Sequence, residues 1–148
     1  MKTLQYSSQF IIIIVLALLY VSLSLANAEN TSFKVEVKGQ GEPVIMIPGL
    51  SCSGQVWDES VEVLQKYYQC HVLTLPGFAG QPSLSPMPDN YLNNIRDEII
   101  AYIKEKNLPK PHLIGHSLGG FLSLAIASKS PDLIRKILVV DGLPFLAQ

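Results

Sequence analysis

Three kinds of side chain in this 148-residue sequence could make or break bonds: a glycine-framed serine, three histidines, and a carboxylate ending an apolar run. Ser117 stands in Gly115-His116-Ser117-Leu118-Gly119, after the short run His112-Leu113-Ile114 and directly before Phe121-Leu122-Ser123-Leu124-Ala125-Ile126. A nucleophilic serine needs a strand before it and a helix after it, on a strained turn that lifts Oγ off the sheet. Gly115 and Gly119 flank that turn, where side chains would collide across it, and Gly120 lets the helix start close to neighbouring strands. The start of the helix also offers a positive dipole end and free N–H groups to a developing oxyanion.

A serine hydroxyl is a poor nucleophile until a base within about 3 Å, or one water away, takes its proton. His116 adjoins Ser117, and neighbouring side chains on such a turn diverge. His112 lies five residues back along the same strand, about 16 Å away by strand rise. His71 opens another strand, at the end remote from the serine. None of the three is placed to act as the base. Asp141 closes the run Leu138-Val139-Val140 and falls on the same edge of the sheet as Ser117.

The elements that must position these groups alternate between β-rich runs and helical periods. Phe33 to Val37 alternates strictly and reads as a half-buried strand, and Val44 to Ile47 is a continuous apolar strand ending at Pro48-Gly49. Trp57, Val61, Leu64 and Tyr68 recur at helical spacing, so one helix face packs inward. His71 to Leu75 is the next strand, followed by a loop carrying Pro76, Pro82, Pro86 and Pro88. Asp89 or Asn90 caps a helix with the stripe Leu92, Ile95, Ile99 and Ile103, which Asn107 and Pro109 stop. A strand at 112–114, a helix from Ser117 to Lys129, a break at Pro131 and a strand from Ile137 to Val140 complete the order. The pattern β-β-α-β-α-β-α-β predicts the α/β class, a mostly parallel sheet flanked by helices.

In several segments together the chain resembles the α/β-hydrolase superfamily. Val44-Ile45-Met46-Ile47-Pro48-Gly49-Leu50 looks like its third strand and oxyanion loop, and Leu73-Thr74-Leu75-Pro76-Gly77-Phe78-Ala79-Gly80 like its strand-four loop. Gly115 to Gly120 looks like its nucleophile elbow, and Leu138-Val139-Val140-Asp141 like its strand six. The resemblance covers about residues 33–145, strands one to six of an incomplete fold, which is the N-terminal half of the family's domain. It implies Ser117 as nucleophile and the amides of Leu50 and Leu118 as the oxyanion hole. It also allows Asp141 as the orienting acid, a place some family members use. Two departures from the family pattern are Pro48-Gly49 in place of His-Gly, which bears on the geometry of the hole, and Thr74 in place of an aspartate, a structural difference. The usual acid, the histidine and the cap would follow Gln148.

Residues 1–28 read as a signal peptide: Lys2, an apolar run from Phe10 to Leu25, and the small-x-small site Ala26-Asn27-Ala28. Cleavage after Ala28 would export residues 29–148 to the periplasm or the medium; an uncleaved segment would tether the domain to a membrane. Without Lys2, ten basic residues stand against twelve acidic ones, with no clustered run, which excludes nucleic acid and an anionic membrane surface as expected partners. Cys52 and Cys70 belong to opposite ends of parallel strands and are expected to stay unpaired. No metal-ligand spacing or phosphate loop occurs, so no cofactor and no metal are expected.

The leading expectation is an exported serine hydrolase, of esterase, lipase or thioesterase type, acting on a small acyl substrate and inactive as this half alone. The alternative is a non-catalytic hydrolase-like binding protein, or a half-domain needing a complementing chain. An unpaired apolar edge at strand 137–140 would favour such association.

Overall fold

The computed structural model describes residues 11–17 and 31–142, and the chain divides into a unit of residues 1–30 and a unit of residues 31–148. In the first unit residues 11–17 are helical and exposed. The expected cleavage site at Ala26-Asn27-Ala28 lies outside the described residues. Among those described, no helix is long and apolar enough to cross a membrane.

The second unit is built on a five-stranded sheet in the order β1-β3-β2-β4-β5. Its strands are β1 (Lys34–Lys38), β2 (Glu42–Ile47), β3 (Tyr68–Thr74), β4 (His112–His116) and β5 (Ile137–Val140). Only β1 runs antiparallel, against β3; the other pairings are parallel. Lysines and a glutamate alternate along β1, as suits an edge strand. The helices are α1 (Asp58–Leu64), preceded by a 3-10 turn at Gly54–Trp57, α2 (Tyr91–Glu105) and α3 (Leu118–Lys129). The expected class, a mostly parallel sheet with flanking helices, is the one observed.

The period of two along β2 divides the core. Ile45 and Ile47, wholly buried, join Leu73, Leu113, the α2 residues Ile95, Ile99 and Ile103, and Leu122 and Ile126 of α3. Val44 and Met46 face the other way, with Cys70 and Val72, under Trp57 and Val61. A strand buried on both faces has to be apolar throughout, hence the unbroken run Val44 to Ile47. On that second face Leu138 and Val140 of β5 stand exposed.

The ends of α2 follow from local chemistry. Asn90 accepts from the Asn93 N–H at 3.1 Å, so it, rather than Asp89, is the cap. At the other end Asn107 takes φ 51°; its N–H donates to Lys104 O, and that of Leu108 to Ile103 O, closing the helix with Leu108 against the core.

Several boundaries differ from the sequence reading. Tyr68 is not on a helix face: α1 ends at Leu64, and Tyr68 opens β3 in register with Glu42, because the β-favouring run from Tyr68 to Thr74 gains a parallel ladder there. His71 accordingly lies within its strand, not at its start. Strand β4 extends to His116, and Ser117 stands outside α3, because the left-handed turn falls on the serine itself. Both cysteines are free, and Cys70 sits opposite Val44, at the far end of β2 from Cys52.

Candidate active site

Ser117 has φ 49° and ψ −112°, a left-handed conformation that a residue with a Cβ adopts at a cost of about 1–3 kcal/mol. The strain is held by close backbone packing. A Cβ on Gly115 would run into the Gly119 carbonyl, and one on Gly119 into the carbonyl of Ile47. A Cβ on Gly120 would lie 2.8 Å from Val139 Cγ1. Glycine is required at all three so that the start of α3 can press against β4, β2 and β5. The Ser117 N–H donates to Val140 O at 2.9 Å, tying the turn to the neighbouring strand, and Ser123 Oγ donates to Gly119 O at 2.8 Å within α3.

Leu118 is the first residue of α3, so its N–H has no partner within the helix and points out of the positive end. Leu50 lies in the turn after β2, closed by the Cys52 N–H donating to Gly49 O at 3.2 Å, with Ser51 at φ 61°. That turn abuts the serine: a Cβ on Gly49 would be 3.5 Å from Ser117 Cβ and 2.9 Å from His116 Nδ1. Thr74 anchors the loop beyond it, its Oγ1 accepting from the buried Gly54 N–H at 2.9 Å. Thr74 thus has a structural part at the position where the resemblance leads one to look for an acid.

Ser117, Asp141, Leu50 and Leu118 line one cleft of about 600 Å³. Its remaining wall is Phe78, Leu92 and Phe121, with the ring of Tyr91. The Tyr91 hydroxyl is already used, donating to Pro76 O at 2.8 Å; burial, with the nearby Glu98 charge second, pushes its pKa up to about 12. Asp141 enters from the end of β5 with φ 48°, so left-handed residues mark the ends of both β4 and β5. These wall residues escape a reading by motif. Phe121, one helical turn beyond Ser117, carries a usable signal, whereas Phe78 lies in a proline-rich loop and Leu92 reads as core.

The histidines are engaged elsewhere. His71 is buried, with Nε2 donating to Gln69 Oε1 at 3.0 Å and Nδ1 accepting from the Tyr102 hydroxyl at 2.7 Å. Desolvation, with the Lys106 charge second, lowers its pKa to about 4. His112 Nε2 lies 3.3 Å from Glu42 Oε2 at the opposite end of the sheet. His116 packs over Gly49. Among the described residues no histidine hydrogen-bonds to Ser117 or Asp141, and no three His, Cys, Asp or Glu side chains gather as a metal site would need.

Residues 42–147 match the family model for the alpha/beta hydrolase fold. A pimeloyl-[acyl-carrier protein] methyl ester esterase of Vibrio campbellii is 34% identical over 118 residues, 80% of this chain and 44% of that protein. The (E)-2-((N-methylformamido)methylene)succinate hydrolase of Acinetobacter baylyi is 28% identical over 122 residues, 82% of this chain and 46% of its own length. Among solved structures, a marine microorganism esterase superposes with a TM-score of 0.71 at 27% identity, covering 78% of this chain and 44% of the esterase. A thermophilic esterase from Thermogutta terrifontis reaches the same score at 22% identity, over 78% and 42%, a likeness of fold alone. The chain therefore spans less than half the length of these relatives. The match of the family model over residues 42–147, more than half of the chain, leads to one conclusion: the chain belongs to the alpha/beta hydrolase fold family.

Proposed function

We propose that this chain carries the nucleophile and oxyanion portion of a serine hydrolase acting on an ester, thioester or related acyl substrate. The observation that supports it most is the left-handed Ser117 at a strand-to-helix turn, opening on an apolar cleft. Ser117 Oγ attacks the acyl carbonyl; the carbonyl oxygen becomes an oxyanion between the N–H groups of Leu50 and Leu118; the alcohol or thiol leaves, and water releases the acid. The relatives' names, a methyl ester esterase and a succinate-derivative hydrolase, lend support to acyl chemistry without choosing a substrate.

The general base is not one of the three histidines, so the step that activates Ser117 needs a group from outside the described residues. An external base tests this reading. With p-nitrophenyl butyrate, the chain alone should show no turnover that Ser117→Ala removes. Added imidazole should raise ester cleavage above that of the Ser117→Ala protein. Equal rates for the two proteins in imidazole would overturn the nucleophile; Ser117-dependent turnover without imidazole would overturn the missing base. Export after cleavage at Ala28 belongs to the proposal too: N-terminal sequencing of the exported protein should begin at Glu29, and retention of Met1 would refute it.

A further inference from the structure

We infer that Asp141 selects substrates by charge, making the Ser117 cleft favour neutral and cationic acyl compounds over anionic ones. The inference rests on reading that cleft as the acyl site and adds a property that Ser117 does not confer. Leu50, Phe78, Leu92, Leu118 and Phe121 offer a ligand carbon, and the Tyr91 hydroxyl is spent on Pro76 O. The cleft lining contains no lysine, arginine or histidine among the described residues, so the Asp141 carboxylate is its sole charged group there. Its backbone is unusual as well. Asp141 takes φ 48°, a left-handed backbone that aspartate enters more readily than most residues with a Cβ, and it is followed by Gly142, where a Cβ would lie 3.3 Å from Gly120 Cα. A carboxylate that lines the same apolar cleft as Ser117 acts on whatever charge approaches the serine.

Asp141 is exposed, so the interaction is screened. At a separation of about 7 Å and an effective dielectric of about 40, a unit charge on the ligand changes affinity roughly sevenfold. Three probes of similar shape measure this without any turnover: 3-phenylpropanamide, 3-phenylpropanoate and 3-phenylpropylamine, titrated against the whole chain and followed by amide shifts around Ser117. The anion should bind about five- to tenfold more weakly than the amide, and the amine at least as well as the amide. Asp141→Asn, which keeps the shape and tolerates a left-handed backbone, should bring all three within about twofold; raised salt should narrow the gap in the unsubstituted chain. Ser117→Ala should keep the charge preference, so failure of the nucleophile reading and failure of this one are distinguishable. An anion that binds as well as the amide, a gap unchanged in Asp141→Asn, or no binding by any probe would overturn the inference.

Discussion

Acid should weaken this fold through one buried imidazole. His71 is only 4% exposed, and both ring nitrogens are committed, one donating to Gln69 and the other accepting from Tyr102. A second proton on Nδ1 would reverse the Tyr102 bond, so that the hydroxyl must accept where it had donated, and would place a desolvated cation in the core near Lys106. The folded pKa of about 4 lies below the ordinary 6.5. The unfolded chain therefore takes up a proton first as pH falls, and the stability contributed by neutral His71 is complete above about 6.5 and is lost towards 4. The slope in that window is at most about 1.4 kcal/mol per pH unit. Between pH 7.5 and 4.5 the upper limit is about 2.7 kcal/mol, and partial solvent screening reduces it to about 2 kcal/mol. Urea unfolding followed by far-UV circular dichroism at both pH values measures the difference. His71→Phe should be less stable at pH 7.5, because it removes the two ring-nitrogen hydrogen bonds, yet its stability should change by less than about 0.5 kcal/mol across the same window. An unsubstituted chain with no pH slope, or a Phe variant with the same slope, would refute the reasoning.

Two further substitutions probe the frame of the site. Gly119→Ala drives a Cβ into the Ile47 carbonyl and should cost at least about 3 kcal/mol or prevent folding, whereas the same change at Gly80, where a Cβ meets nothing within 4 Å but φ is 80°, should cost only about 1 kcal/mol; thermal unfolding of the pair checks the contrast. Thr74→Val leaves the buried Gly54 N–H without its acceptor and should cost about 1–3 kcal/mol, with faster exchange of that amide proton as the local readout.

What could be read from the sequence, and what could not, divides along the range of the interactions. The run Val44 to Ile47 announces a strand buried on both faces because both faces need apolar groups, whatever covers them. The elbow is legible because half of its constraint is local: Gly115 makes room for the Gly119 carbonyl four residues on, whereas Gly119 answers to the distant Ile47 carbonyl. Tyr68 misleads for the opposite reason. Its spacing from Leu64 fits a helix, and only pairing with Glu42, distant in sequence, makes it a strand residue. The burial of His71 likewise depends on Tyr102, 31 residues away, which no spacing rule connects to it. Most of the cleft wall is beyond reach too: Phe121 is signalled by its place one turn after Ser117, but Phe78 and Leu92 come from a loop and another helix that only the fold brings beside it.

The position of Ser117 and the activation of Ser117 are separate physical matters in this chain. Position comes from contacts that are all present: Gly115 against Gly119, Gly119 against Ile47, and the Ser117 N–H on Val140 O. Each is a backbone contact or hydrogen bond between elements of one sheet and one helix, so the strained turn is held by the rigid centre of the fold and needs no histidine to form. Activation needs a proton acceptor at the mouth of the cleft, and the described histidines are bound to Tyr102, to Glu42 and over Gly49. On the proposed reading of Ser117 as nucleophile, ester cleavage should therefore respond to a small diffusible base. Rescue should saturate with imidazole if the base occupies a site in the cleft, and rise linearly if it only collides there. A bulky 2-substituted imidazole should rescue far less than imidazole itself, because Leu50, Leu118 and Phe121 share the cleft with Ser117; equal rescue by both would show that Ser117 is reached from outside the cleft.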